Sequence, residues 1–130
     1  MSLALRDAQV NKDEVDYINF HGTSTLINDK VETLAVKQTF NSQAMNIPSS
    51  STKSMVGHPQ GASGALGVTV SALSLKNGFM TPTINMENPD PECDMDYVAN
   101  VGRENKMNIA VSNCISFGSK NSAIVLKNFE

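Results

Sequence analysis

VDYINFHGTST, residues 15–25, is an apolar run that stops abruptly at a histidine, a glycine and three hydroxyl side chains. Val15 to Phe20 reads as a buried strand, which puts His21 at its lip. Asp29 then opens a helix whose apolar positions Val31, Leu34, Ala35 and Phe40 share one face. The same order recurs downstream. Met45 to Pro48 is expected as a second short strand, STKSMVGHPQGASGALG (51–67) as a glycine-rich loop holding the second histidine, and GALGVTVSALSLKNG (64–78) as a helix. On that helix Leu66, Val70, Ala72 and Leu73 form the apolar positions, and Asn77-Gly78 ends it.

Outward from this repeated unit, ALRDAQV (4–10) reads as the end of a helix, with Asn11 as its stop and Lys12-Asp13-Glu14 as a solvated turn. TPTINMENPDPE (81–92) carries three prolines and is expected as an extended surface connection, since proline cannot donate to a ladder. Met107 to Ile115 and Ser122 to Lys127 read as two antiparallel strands joined by the hairpin-loop sequence SFGSKN (116–121). Strands alternating with helices predict an α/β fold: a mixed, mainly parallel sheet with helices on both faces and an antiparallel C-terminal strand pair.

The bulk numbers bound the function. The chain has 130 residues, 40% hydrophobic and 18% charged, with a formal net charge of −3, so nothing in its charge favours nucleic acid. Its apolar stretches fall short of the roughly 20 residues that span a bilayer, and the reading is a cytoplasmic protein with no membrane span. Cys93 and Cys114 have neither metal-ligand spacing nor the density of a disulfide scaffold, so reduced thiols and no metal are expected. Met1-Ser2-Leu3 is read as a non-native leader, and 4–130 as one domain.

In such sheets ligands bind at the carboxyl ends of the strands, where loops and helix starts converge. Both histidines of the chain lie there, His21 after the first strand and His58 before the Gly61-rich start of the second long helix. A helix start and the nearby Lys53 both favour neutral imidazole, and a neutral imidazole with its N–H outward can hydrogen-bond a developing oxyanion. On residue type alone, Thr23, Ser24 and Thr25 serve equally as cap or turn residues, Lys53 as a solvated lysine and Cys114 as a small core residue.

HGTST with Asp29 and Glu32 behind it, STKSMVGH, PTINMENPD and the Asn113 to Asn121 turn occur in one order. Over about residues 4 to 128 this order resembles the C-terminal half of elongating β-ketoacyl-acyl carrier protein synthases, the ketosynthases of the thiolase-fold condensing enzymes. The resemblance implies a three-layer thiolase-like half and, for the parent protein, decarboxylative Claisen condensation in fatty acid or polyketide synthesis. It implies His21 and His58 as the catalytic histidines and Lys53 as the lysine supporting the second of them. Thr23 and Thr25 match threonines that hold a phosphopantetheine arm. Phe117 matches a phenylalanine that gates the pocket, and Gly118 follows it.

No permanently bound cofactor is implied, since substrates ride on the phosphopantetheine of acyl carrier protein. The implied partners are acyl carrier protein, an N-terminal ketosynthase half and a second copy in a homodimer. The family's nucleophilic cysteine belongs to that N-terminal half, so this chain is expected to be inactive alone. Gly67 stands where fatty-acid members carry a glutamate, as in modular polyketide ketosynthases. Ser116 to Lys120 departs from a glycine-rich run, which would limit that loop's motion. The alternatives are a non-catalytic subunit of chain-length-factor type, a carrier-protein-binding module, or a hydrolase built on Cys114.

Overall fold

The computed structural model describes residues 1–129; Glu130, the last residue of the expected 4–130 domain, and the side chain of Ser119 lie outside the described residues. The chain runs through α1 (Ser2–Asp7), β1 (Tyr17–Asn19), α2 (Asn28–Phe40), β2 (Ser49–Ser50), α3 (Lys53–Val56) and α4 (Ser63–Asn77). It continues through β3 (Phe79–Met80), β4 (Arg103–Glu104), β5 (Ile109–Ser116) and β6 (Lys120–Lys127). The main sheet has the order β2-β1-β5-β6, with β1 parallel to both neighbours and β6 antiparallel to β5. β3 and β4 form a separate antiparallel pair that the sequence reading did not contain.

Side-chain alternation along the strands separates two cores. Ile18, Phe20, Ile109 and Val111 point to one face and pack with Leu5 of α1 and with Val36 and Phe40 of α2. Tyr17 and Ala110 point to the other and pack with Leu75 of α4, Met80, Val98 and Met107. The result is the expected helix, sheet, helix sandwich with an antiparallel strand pair at the C-terminal edge.

Several local expectations need correction. The first helix ends at Asp7, and Asn11 instead opens a 3₁₀ turn over Lys12–Glu14, with its N–H donated to the Glu14 carboxylate at 2.7 Å. Met45 to Pro48 is not the second strand, because Asn41–Asn46 is 3₁₀ and the pairing with β1 falls on Ser49 and Ser50. These serines are fully buried, so the strand carried no apolar signature.

On α2 the buried stripe is Glu32, Thr33, Val36, Thr39 and Phe40, while Val31 and Leu34 face outward. On α4 the sheet-facing stripe is Ser63, Gly67, Ser71, Ser74 and Leu75, while Ala72 and Leu73 are exposed. Small residues let α4 approach closely: a Cβ on Gly67 would stand 2.7 Å from Ser112 Oγ and 3.0 Å from Asn19 Oδ1. The C-terminal hairpin turn is tighter than six residues, with only Phe117–Ser119 between β5 and β6. The stop of α4 at Asn77-Gly78 and the extended course of 81–92 match the reading.

Candidate active site

β1 and β2 are parallel neighbours, so the loops after them leave the sheet side by side. The loop after β1 is anchored from α2. The buried Glu32 carboxylate accepts the backbone N–H of His21 on Oε1 at 2.8 Å and that of Gly22 on Oε2 at 2.9 Å. Asn113 of β5 adds a third donor to Oε1 at 2.6 Å, and Asn28 a fourth to Oε2 at 3.4 Å. Burial pushes the Glu32 carboxyl up from its ordinary value, and these four donors oppose it.

From β2's side, Ser51 donates its hydroxyl to the Gly22 carbonyl at 2.8 Å. Gly22 has φ +39, and a Cβ there would stand 2.5 Å from Ser51 Cβ, so this crossing point requires glycine.

The two loops bring His21 and His58 together, ring centroids 5.5 Å apart and edge to face. His21 is buried, and its Nδ1 has no hydrogen-bond partner among the described residues. Burial first, then the Lys53 and His58 charges, lower its pKa to about 4, so the ring is neutral at pH 7. Burial is thus the main cause, and the lysine effect expected from sequence adds to it. His58 is exposed. The Gln60 N–H donates to His58 Nδ1 at 3.1 Å, which in the neutral ring favours the proton on Nε2. The Ser63 hydroxyl lies 3.1 Å from the same nitrogen.

Lys53, at the start of α3, is half-buried, and burial is the main cause lowering its pKa; Cys114, Glu32 and Asp29 oppose it. Its charge is felt at His21. Among the described residues it forms no salt bridge, and Gly67 offers it no carboxylate.

A cavity of about 620 Å³ opens beside the pair, lined by Thr23, Thr25, Lys53 and His58 on one side and by residues of the 83–97 connection on the other. Thr23 and Thr25 hydroxyls lie 3.1 Å apart at its wall, and Thr25 Oγ1 also accepts the Asn28 N–H at 3.4 Å. The 83–97 wall is fastened to α2 by Lys30 with Asp90 and Glu92, by Lys37 with Asp94, and by Thr33 with Tyr97.

Five of the seven sequence-predicted site residues thus converge, His21 buried behind His58 and the others at the cavity. Phe117 and Gly118 do not line it: they sit at the β5–β6 hairpin tip with the Phe117 ring fully exposed. Sequence reasoning gave Glu32 no role, although its place on the buried 32-36-40 stripe of α2 marks a carboxylate held for a reason. Ser63, Gln60 and Asn113 carried no such mark.

Residues 1–87 match the family described as beta-ketoacyl synthase, C-terminal domain. The 3-oxoacyl-[acyl-carrier-protein] synthase 2 of Coxiella burnetii is 48% identical over 126 residues, 97% of this chain and 30% of that protein. Its counterpart in Staphylococcus aureus is 44% identical over 130 residues, 100% of this chain and 31% of that protein. Among solved structures, that of a type II PKS acyl-carrier protein in complex with its ketosynthase superposes with a TM-score of 0.96 at 37% identity, covering 98% of this chain and 31% of that one. The chain spans about 30% of the length of the curated relatives it matches.

Proposed function

The chain belongs to the β-ketoacyl synthase C-terminal domain family, and from that premise we propose that it is the histidine-bearing part of a 3-oxoacyl-[acyl-carrier-protein] synthase. The observation that carries this reading is the His21–His58 pair at adjacent strand ends beside the cavity that Lys53, Thr23 and Thr25 line. In the proposed reaction a malonyl thioester loses carbon dioxide, and the electron pair of the broken C–C bond is delocalised onto the thioester oxygen. The enolate carbon then attacks an acyl thioester held on a cysteine elsewhere in the parent protein, and the cysteine thiolate leaves.

The neutral His21 imidazole suits the first half of this sequence. His58 Nε2–H can donate to the oxygen that becomes the enolate, and the uncharged His21 ring, 5.5 Å away in centroid separation, can offer a second N–H to it. Lys53 keeps the neighbourhood positive, which disfavours imidazolium and favours the anion. Thr23 and Thr25 offer hydroxyls at the cavity wall to a phosphopantetheine arm, so acyl carrier protein is the proposed donor of both substrates. The remaining part of the parent would supply the nucleophile, and a homodimer is the proposed assembly. Retention of both histidines and Lys53 supports this reading over a non-catalytic subunit. Among the described residues no helix is long and apolar enough to cross a membrane.

The test is malonyl decarboxylation by the full-length protein carrying this chain. His58→Ala is expected to lower the rate by roughly 10²- to 10³-fold, as loss of an oxyanion donor does. His21→Ala should lower it comparably. Ordinary decarboxylation in both variants would overturn the role assignment.

A further inference from the structure

We propose that Ser63 is a positioning residue that sets the ring of His58, an inference that rests on reading His58 as the oxyanion donor. A serine at the start of a helix ordinarily caps a free backbone N–H. Here α4 begins at Ser63 with Ala62 in the cap position and no side-chain cap bond. The Ser63 hydroxyl instead lies 3.1 Å from His58 Nδ1, five residues back, and Ser63 is 6% exposed while His58 is exposed.

A ring on an exposed loop, 5.5 Å in centroid separation from the His21 ring, needs a fixed point if its N–H is to stay aimed at one oxygen. Two groups supply one, both at Nδ1. Gln60 donates its backbone N–H there, from a residue held at φ +44, a region uncommon for a side-chain-bearing residue. That N–H can only donate, so it disfavours a proton on Nδ1, and the Ser63 hydroxyl, donating to the same nitrogen, completes the preference for Nε2–H. The Ser63 hydroxyl reaches the same nitrogen from α4, whose Gly67 and Ser71 stripe is seated on the sheet. The serine thereby transmits the placement of a 15-residue helix to the imidazole of an exposed loop position.

The experiment uses the full-length protein with ¹⁵N-labelled histidine. In the unmodified protein the His58 ring nitrogens should give the well-separated shifts of a single Nε2–H tautomer. Ser63→Ala should draw the two shifts together and lower kcat for malonyl decarboxylation about fivefold, with KM within about twofold, the scale of one lost hydrogen bond. Ser63→Cys, a weaker donor of similar size, should fall between. Unchanged shifts in Ser63→Ala overturn the proposal whether or not kcat falls, because a drop without a ring response assigns Ser63 to the helix alone. The ring measurement stands even if His58→Ala leaves decarboxylation intact, a result that would remove the functional reading instead.

Discussion

At the scale of single residues, the decisive property of the site is that it holds an uncharged imidazole in a place where protonation is penalised. His21 has its pKa lowered from 6.5 to about 4, chiefly by burial and then by Lys53. In the unfolded chain the ring protonates near its ordinary value, so it binds a proton more readily unfolded than folded. His21 therefore costs nothing above about pH 6.5, and it destabilises the fold progressively as pH falls from there toward 4. An NMR titration of His21 should give a midpoint near 4, and replacing it by glutamine should flatten the decline of the urea midpoint between pH 6.5 and 4. A His21 midpoint near 6.5 would contradict the burial argument. The histidines themselves were legible from sequence, because each interrupts a strand-to-helix passage beside glycine and hydroxyl residues. The tautomer of His58 was not, since it depends on a backbone N–H whose direction no residue type announces.

At the scale of elements, α2 acts as a clamp on the end of β1. All four groups directed at Glu32 are donors: the N–H of His21 and Asn113 Nδ2 on one oxygen, the N–H of Gly22 and Asn28 Nδ2 on the other. Only a carboxylate accepts on both oxygens, so the four bonds hold the charge against its burial. Glu32→Gln puts an amide NH₂ against two of these donors and is expected to destabilise the protein by about 2 to 3 kcal/mol. Equilibrium urea unfolding of the full-length protein measures it, and a loss below about 0.5 kcal/mol would show that the clamp is dispensable.

The faces of α2 and α4 were misread for one reason. Periodicity reasoning follows apolar residues, whereas α4 buries Ser63, Gly67, Ser71 and Ser74, whose small size permits a close helix-to-sheet approach, and α2 buries a carboxylate. Order and type of the long elements were legible because Val15–Phe20 and Met107–Ile115 owe their burial to apolar side chains. β2 was misplaced because its two residues are serines.

At the scale of the whole molecule, the surface does not look finished. Leu26 is 91% exposed, Ile27 74%, Val31 52% and Leu34 54%, all on or just before α2, and the Phe117 ring stands free at the hairpin tip. Such a patch on a separate chain favours association. The 130-residue chain expressed alone is expected to show no condensation with acyl and malonyl carrier-protein substrates, and to sediment with a mass that rises with concentration in the micromolar range. A strictly monomeric, condensing chain would defeat both the partial-site reading and the account of this surface. The three-layer plan was legible in the alternation of strand and helix, but Val31 and Leu34 were read as core, since apolar residues alone do not say which face of a helix lies on the sheet.

The strand order also sets a schedule. β1 is paired on one side with Ser49 and Ser50, thirty residues later, and on the other with Ala110 to Ser112, some ninety residues later. Asn113, from that same late strand, completes the set of donors around Glu32. Pairings this distant in sequence form slowly, because a long loop must close before they return any stabilisation. On a ribosome adding residues from the N-terminus, both histidines emerge long before β5 exists to seat the first of them. The two halves of the histidine pair are therefore synthesised early and aligned late, and the nascent chain carries an unassembled site until β5 arrives.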